Sequence, residues 1–131
     1  MASATHDAVD RIRAALLEPG FVVEERDGAS FSVRTALDRE DPHLEVEVWL
    51  EGDWVRLQCA VVPAADVRDP GLLALSRLNQ RLRRVRAAMT DGGSVVVRAD
   101  YPVFAWDLDD FRSVLHDVFA SVDDVRRVAG Q

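Results

Sequence analysis

The sequence has a single cysteine, no lysine and no long hydrophobic run. One cysteine excludes an intramolecular disulfide, and the absence of lysine excludes Schiff-base chemistry and a phosphate-binding lysine. The longest apolar stretches, such as residues 60–65, are too short to span a bilayer, and the first residues lack the basic and apolar regions of a secretory signal. These absences predict a cytoplasmic protein without membrane segments.

The chain has 131 residues, a net charge of −7 and a pI of about 4.9. Its 48% hydrophobic and 30% charged residues are typical of a soluble globular protein. No linker or internal repeat divides it, so we expect a single domain over residues 1–131. All 16 basic residues are arginine, and valine greatly outnumbers isoleucine, which indicates a GC-rich bacterial genome.

The first half of the chain predicts one helix followed by four strands. Apolar residues at three- and four-residue steps favour a helix capped by Thr5 and ended by Pro19-Gly20. Short segments with alternating apolar residues follow at 21–25, 31–35, 44–50 and 54–62. Pro63 ends the last of them because it has no N–H to donate.

The second half predicts a long helix, a strand and a final helix. Asp69 can cap a helix with Pro70 in its first turn, and leucines and Val85 continue an amphipathic pattern as far as Met89. Residues 95–97 predict a strand buried on both faces, and a last helix begins near Asp107 or Asp109. An acidic pair at 123–124 can interrupt that helix. The order α-β-β-β-β-α-β-α predicts an α+β fold, with helices packed on one face of an antiparallel sheet.

No constellation of residues predicts catalysis or a cofactor. None of His6, His43 and His116 stands near a second ligand at metal-binding spacing, and Cys59 lies on an apolar strand where a buried, inert thiol is favoured. There is no glycine-rich phosphate loop. The acidic residues fit simpler roles, as helix-capping groups at 107–110 and as the solvated face of a strand at 45–47. We therefore expect no metal, no cofactor and no enzymatic activity.

Charge is strongly segregated along the chain. The segment 70–90 contains five arginines and no acidic residue, although the whole chain carries −7. Arginines near the end of a helix favour its macrodipole, which is one sufficient explanation. The alternative is that Arg77, Arg81 and Arg84 form a stripe on one helix face that meets acidic groups of another chain or phosphates of a nucleic acid.

The element order, the run Leu72-Leu73-Ala74-Leu75-Ser76-Arg77-Leu78-Asn79-Gln80-Arg81-Leu82 and the strand Val95-Val96-Val97-Arg98-Ala99-Asp100-Tyr101-Pro102 resemble the YbjN family. This family has the fold of type III secretion chaperones, in which helices and a sheet form a sandwich that typically dimerises and binds other proteins. The resemblance implies a chaperone-like, adaptor or regulatory role. It implies no catalytic residue.

These observations favour a homodimeric protein-binding module that holds a segment of a client protein. The acidic remainder of the surface would select a basic client, such as a nucleic-acid-handling protein. The alternative is direct nucleic-acid binding through the arginine-rich helix 70–90, which its lack of aromatic residues disfavours. A third hypothesis is that the protein is a hydrolase that uses His43 or His116. The residues predicted to contact a partner are Arg77, Leu78, Arg81, Arg84, Trp49 and Trp54.

Overall fold

A computed structural model of the protein describes residues 2–35 and 44–129. Within these ranges the chain forms three α-helices and six strands. Two short 3₁₀ turns, Ala64–Asp66 and Val103–Ala105, precede the second and third helices. In chain order the elements are α1 (Ala2–Leu16), β1 (Phe21–Glu25), β2 (Ser30–Thr35), β3 (Val46–Glu51), β4 (Trp54–Val62), α2 (Asp69–Asn79), β5 (Arg86–Met89), β6 (Val95–Pro102) and α3 (Leu108–Ala129).

The six strands form one antiparallel sheet in the order β1-β2-β3-β4-β6-β5. Neighbours in the sheet are also neighbours in the chain, except that β6 lies between β4 and β5. Gly52, with a φ of 61°, forms the tight β3–β4 turn because its backbone needs the left-handed region that glycine tolerates. The longest pairing joins β4 to β6, the second strand from the β5 edge of the sheet.

Alternation along the strands separates a core face from an open face. Val46, Val48, Leu57 and Cys59 are fully buried on the core face, whereas the alternate residues from Glu47 to Gln58 are polar or aromatic. Val95, Val96 and Val97 of β6 are all buried, which confirms the prediction of a strand covered on both sides.

The helices cover the core face of the sheet. α3 packs on β4 and β6, and α1 and α2 pack on α3. The α3 positions predicted from spacing, Phe111, Val114, Leu115, Val118 and Val122, are buried. The N–H of Asp110 donates to a carboxylate oxygen of Asp107 at 2.9 Å, which confirms the predicted start of the helix. The architecture confirms the predicted α+β class.

Three predicted boundaries are wrong. α1 begins at Ala2, so Thr5 lies inside the helix and does not cap it. α3 runs without interruption through Asp123 and Asp124, because Val122 and Val125 on its buried face continue to pack into the core. The predicted long helix ends at Asn79, and residues 86–89 form strand β5 instead.

Candidate functional site

The arginine-rich segment divides into the end of a helix, a turn and an edge strand. The carbonyls of Arg77 and Leu78 accept from the N–H groups of residues 80–82, which close the last turn of α2. The Asn79 side chain then pairs with the backbone of β5, accepting from the Ala87 N–H at 2.7 Å and donating to the Ala87 carbonyl at 3.0 Å. This pair of hydrogen bonds favours a strand at 86–89, where the spacing of apolar residues predicted a helix. Because α2 ends at Asn79, Arg77, Arg81 and Arg84 do not share one helix face, and the predicted arginine stripe is wrong.

Arg84 connects the turn to α3. Its guanidinium donates to Asp117 at 2.7 Å, to Asp110 at 2.9 Å and to the Ser113 hydroxyl. Three partners on one helix hold the side chain in place, although it is 40% exposed. Arg84 is thus committed to a contact within the chain and is not a free positive charge.

Arg77 and Arg81 are exposed, and neither forms an ion pair with any residue that the structure describes. Arg81 and Arg83 flank a shallow groove of about 560 Å³ between the 80–85 turn and α3, whose opposite wall includes Asp117 and Asp124. These arginines remain accessible to a partner.

Leu78 lies in the core with 4% of its surface exposed. This confirms that Leu78 faces the core from α2. Its side chain therefore has almost no surface with which to make the partner contact that the sequence predicts. Leu73, five residues earlier on α2, is 63% exposed.

Trp49 and Trp54 both lie on the open face of the sheet. Trp49 is half-buried beside Arg56, its register partner on β4. Trp54 is 41% exposed and makes an edge-to-face contact with Phe104, with ring centroids 6.3 Å apart. Phe104 itself is 79% exposed. Phe104 is not predictable as a surface residue from the sequence, because its position in the 103–105 turn shows no periodicity that separates it from a core residue.

Exposed acidic residues lie in the chain segments next to these aromatic residues. The exposed Asp53 lies in the β3–β4 turn, and its carbonyl accepts from the Val103 N–H at 2.9 Å, which fixes the 103–105 turn beside it. Glu51 precedes it and forms an ion pair with Arg56 at 2.6 Å, and Asp107 and Asp109 are exposed at the start of α3. Exposed aromatic surface and negative charge therefore meet at this corner of the sheet.

Tyr101 fixes the corner from the core side. Its hydroxyl accepts from the Asp107 N–H at 3.0 Å and donates to the Ala105 carbonyl at 3.1 Å, and its ring packs against Trp106 and Phe111. Burial raises the pKa of this hydroxyl above its usual value of 10.0. The 103–105 turn is therefore anchored rather than loosely attached, and Phe104 is exposed from a fixed position.

Several charged residues of the open face have hydrogen-bond or ion-pair partners on neighbouring strands. Asp100 accepts from Arg56 at 2.9 Å and from Arg86 at 3.2 Å, Arg98 donates to Gln58 at 2.6 Å, and Arg26 reaches Glu45 at 3.3 Å. Glu45 and Glu47 lie on one face, as predicted, and border a depression of about 130 Å³. These contacts leave fewer free charged groups on this part of the sheet.

The candidate catalytic side chains are dispersed. His116 contacts Glu18 at 3.0 Å on the surface, Cys59 is buried, and His43 lies outside the described residues. Among residues 2–35 and 44–129, no three His, Cys, Asp or Glu side chains are grouped as metal ligands would be. In the same ranges, no helix combines the length and apolar character needed to cross a bilayer.

No family model and no curated protein matches the chain. Solved structures of low sequence identity do share its fold. A chain of the HopA1–SchA chaperone–effector complex superposes with a TM-score of 0.67 at 11% identity, over 97% of this chain and 98% of that one. YbjN from E. coli gives 0.62 at 17% identity, over 89% and 86%. A chain from the complex of the Yersinia pestis type III secretion chaperone SycH with a fragment of YscM2 gives 0.58 at 12%, over 94% and 97%.

The chain therefore has the fold of the type III secretion chaperones. YbjN shares this fold, so the resemblance found in the sequence is confirmed at that level.

Proposed function

We propose that this protein is a non-enzymatic, chaperone-like module that binds a segment of a client protein. The observation that carries the proposal is the exposed aromatic pair Trp54 and Phe104, held on an anchored turn among acidic groups. Exposed aromatic residues are enriched where proteins bind one another. The solved structures that share the fold include a chaperone–effector complex and a chaperone bound to a fragment of another protein, which supports this role.

The client is expected to be basic. The chain carries −7, and the exposed acids around the aromatic pair attract positive charge and repel acidic partners. Basic proteins include many that handle nucleic acids, so the module fits a cytoplasmic regulator or adaptor of such a protein in a bacterium. Binding would bury apolar client side chains, while the acidic groups select the partner.

We further propose that the protein is a homodimer in which the end of α2 and the turn that follows it contribute to the interface. Arg77 and Arg81 are exposed and have no acidic partner in the described part of the chain, so acids of a second subunit can pair with them. Reversing both charges to glutamate should shift the monomer–dimer equilibrium towards monomer in sedimentation velocity, and the fold should persist by circular dichroism. If the wild type is monomeric, or if the double variant dimerises equally well, Arg77 and Arg81 do not contribute to a dimer interface.

Affinity capture from the native cell lysate, followed by mass spectrometry and reconstitution from purified components, tests the main proposal. We expect a protein that co-elutes with this chain at fixed stoichiometry after both are purified separately. Recovery of nucleic acid in place of protein would promote the alternative of direct nucleic-acid binding. Failure of every captured protein to re-form a complex would reject the client-binding function.

A further inference from the structure

β6 extends beyond its partner β5 and leaves part of its edge open. β5 begins at Arg86, which pairs with Arg98, so the last residues of β6 have no strand on that side. The Val103 N–H donates to the Asp53 carbonyl, and this bond shows which residues of β6 direct their backbone groups towards β4. In an antiparallel ladder the direction of the backbone groups alternates, so the N–H and carbonyl of Asp100 point away from β4. Neither has a hydrogen-bond partner within residues 2–35 and 44–129.

A cavity of about 250 Å³ lies beside this open edge. Pro102, Ala105 and Val114 supply apolar wall, Tyr101 closes the inner end, and the Arg84–Asp110 ion pair forms a polar side. An enclosed apolar cavity of about 150 Å³ is enough to bind benzene, so this one has room for a leucine or phenylalanine side chain. The cavity and the open edge therefore lie together, directly beside the turn that exposes Phe104.

The open edge at Asp100, the cavity and the 103–105 turn together form a surface that we name the β6–α3 corner. Resting on the proposed client-binding function, we propose that this corner binds an extended client segment. In that segment one medium-sized apolar residue is flanked by arginine or lysine. The client backbone pairs with the N–H and carbonyl of Asp100, and its apolar side chain enters the cavity. Phe104 and Trp54 cover the adjoining residue. The flanking basic residues face the exposed carboxylates of Asp53, Asp107 and Asp109.

Pro102 limits how many client residues can pair with the edge of β6. Pro102 has no N–H, so the edge offers one residue, Asp100, that can exchange both hydrogen bonds with a partner. Two backbone bonds fix the direction and register of the client, and burial of its apolar side chain supplies most of the affinity. A short motif in an otherwise variable segment is the expected client signature.

The test uses the intact protein and a phage-displayed library of random seven-residue peptides. Enriched peptides are synthesised with a fluorescent label, and their affinities are measured by anisotropy for the wild type, Phe104→Ser, Ala105→Arg and Leu17→Ser. Ala105→Arg fills the cavity from an exposed position and adds a positive charge that repels a basic client. Leu17→Ser is the matched control, because Leu17 is 75% exposed and lies after α1, away from the corner.

We expect enriched peptides with an apolar residue between basic ones. Phe104→Ser and Ala105→Arg should each weaken binding about tenfold or more, as expected for loss of a central contact, and the control should match the wild type. Hydrogen exchange of the Asp100 amide should be fast in the free protein and slowed at least about tenfold by saturating peptide.

Three results would overturn the proposal. If peptides bind both corner variants as tightly as the wild type, the site is elsewhere, although the client-binding function stands. If Phe104→Ser abolishes self-association and no peptide is enriched, the corner binds a second copy of this chain. If neither peptides nor any captured protein binds, the proposed function fails together with this site.

Discussion

The burial of Leu78 shows which face of α2 packs against the core. It is 4% exposed on α2, and Leu73 on the same helix is 63% exposed. Leu78→Ala should therefore lower the free energy of unfolding by about 2 to 5 kcal/mol, because it removes buried apolar contacts and leaves a cavity.

Urea melts of both alanine variants measure this difference. Leu73→Ala serves as the matched control and should change stability by no more than about 0.5 kcal/mol. A loss below about 0.5 kcal/mol for Leu78→Ala would show that α2 is rotated away from the core.

Tyr101 gives the protein a pH dependence in the alkaline range. Burial raises the pKa of its hydroxyl above 10.0 in the folded protein, so the unfolded chain releases this proton first as the pH rises. The stabilising contribution is complete below pH 10 and is lost as the pH rises through the pKa of the folded state.

Tyr101 is the single tyrosine of the chain, so absorbance of tyrosinate reports its ionisation directly. Denaturant melts at increasing pH should show falling stability for the wild type and a smaller fall for Tyr101→Phe. Equal slopes for the two proteins would show that another group causes the loss.

At the scale of elements, Asn79 protects the edge of the sheet. Its side chain makes both hydrogen bonds that a neighbouring strand would make with Ala87. Exposed strand edges promote association between chains, and proteins commonly cover them. Asn79→Ala should therefore destabilise the protein by about 1 to 3 kcal/mol, because it leaves two backbone groups of the half-covered edge without partners.

Native-state hydrogen exchange of the Ala87 amide checks this prediction together with urea melts. Gln80→Ala, at the next and exposed position, is the matched control and should leave both measurements unchanged. Unchanged exchange at Ala87 in Asn79→Ala would contradict the account.

The elements differ in how far the sequence predicts them. β4 and α3 are predicted closely because burial on a regular period of two or 3.6 residues leaves a clear pattern. β5 is not predictable in this way, because its four residues continue the spacing of α2 and its strand conformation depends on pairing with β6 and on Asn79. The residues of the proposed interaction surface also differ in how far the sequence predicts them. Trp54 follows a recognisable turn, whereas the exposure of Phe104 depends on the tertiary contacts of Tyr101.

At the scale of the whole molecule, the charge distribution opposes direct binding of nucleic acid. The net charge is −7, and two of the five arginines in 70–90 are paired, Arg84 with α3 and Arg86 with Asp100. A nucleic-acid surface needs several free cations to release counterions from phosphates. We expect no binding of a labelled single strand or duplex in fluorescence anisotropy at about 0.15 M salt.

Saturable micromolar binding that weakens with added salt would contradict this expectation. A variant with Arg77 and Arg81 changed to glutamate would then show whether those two arginines carry the interaction. If no nucleic acid binds, the result agrees with the proposal that the acidic surface selects protein partners.

The central claim is that this fold binds another protein through apolar burial and acidic selection. Isothermal titration calorimetry with the purified captured partner tests it most directly. The account predicts saturable binding with a Kd of about 1 µM or tighter, equivalent to about −8 kcal/mol, and a negative heat-capacity change from buried apolar surface. Absence of binding at about 100 µM, or binding with no heat-capacity change, would contradict it.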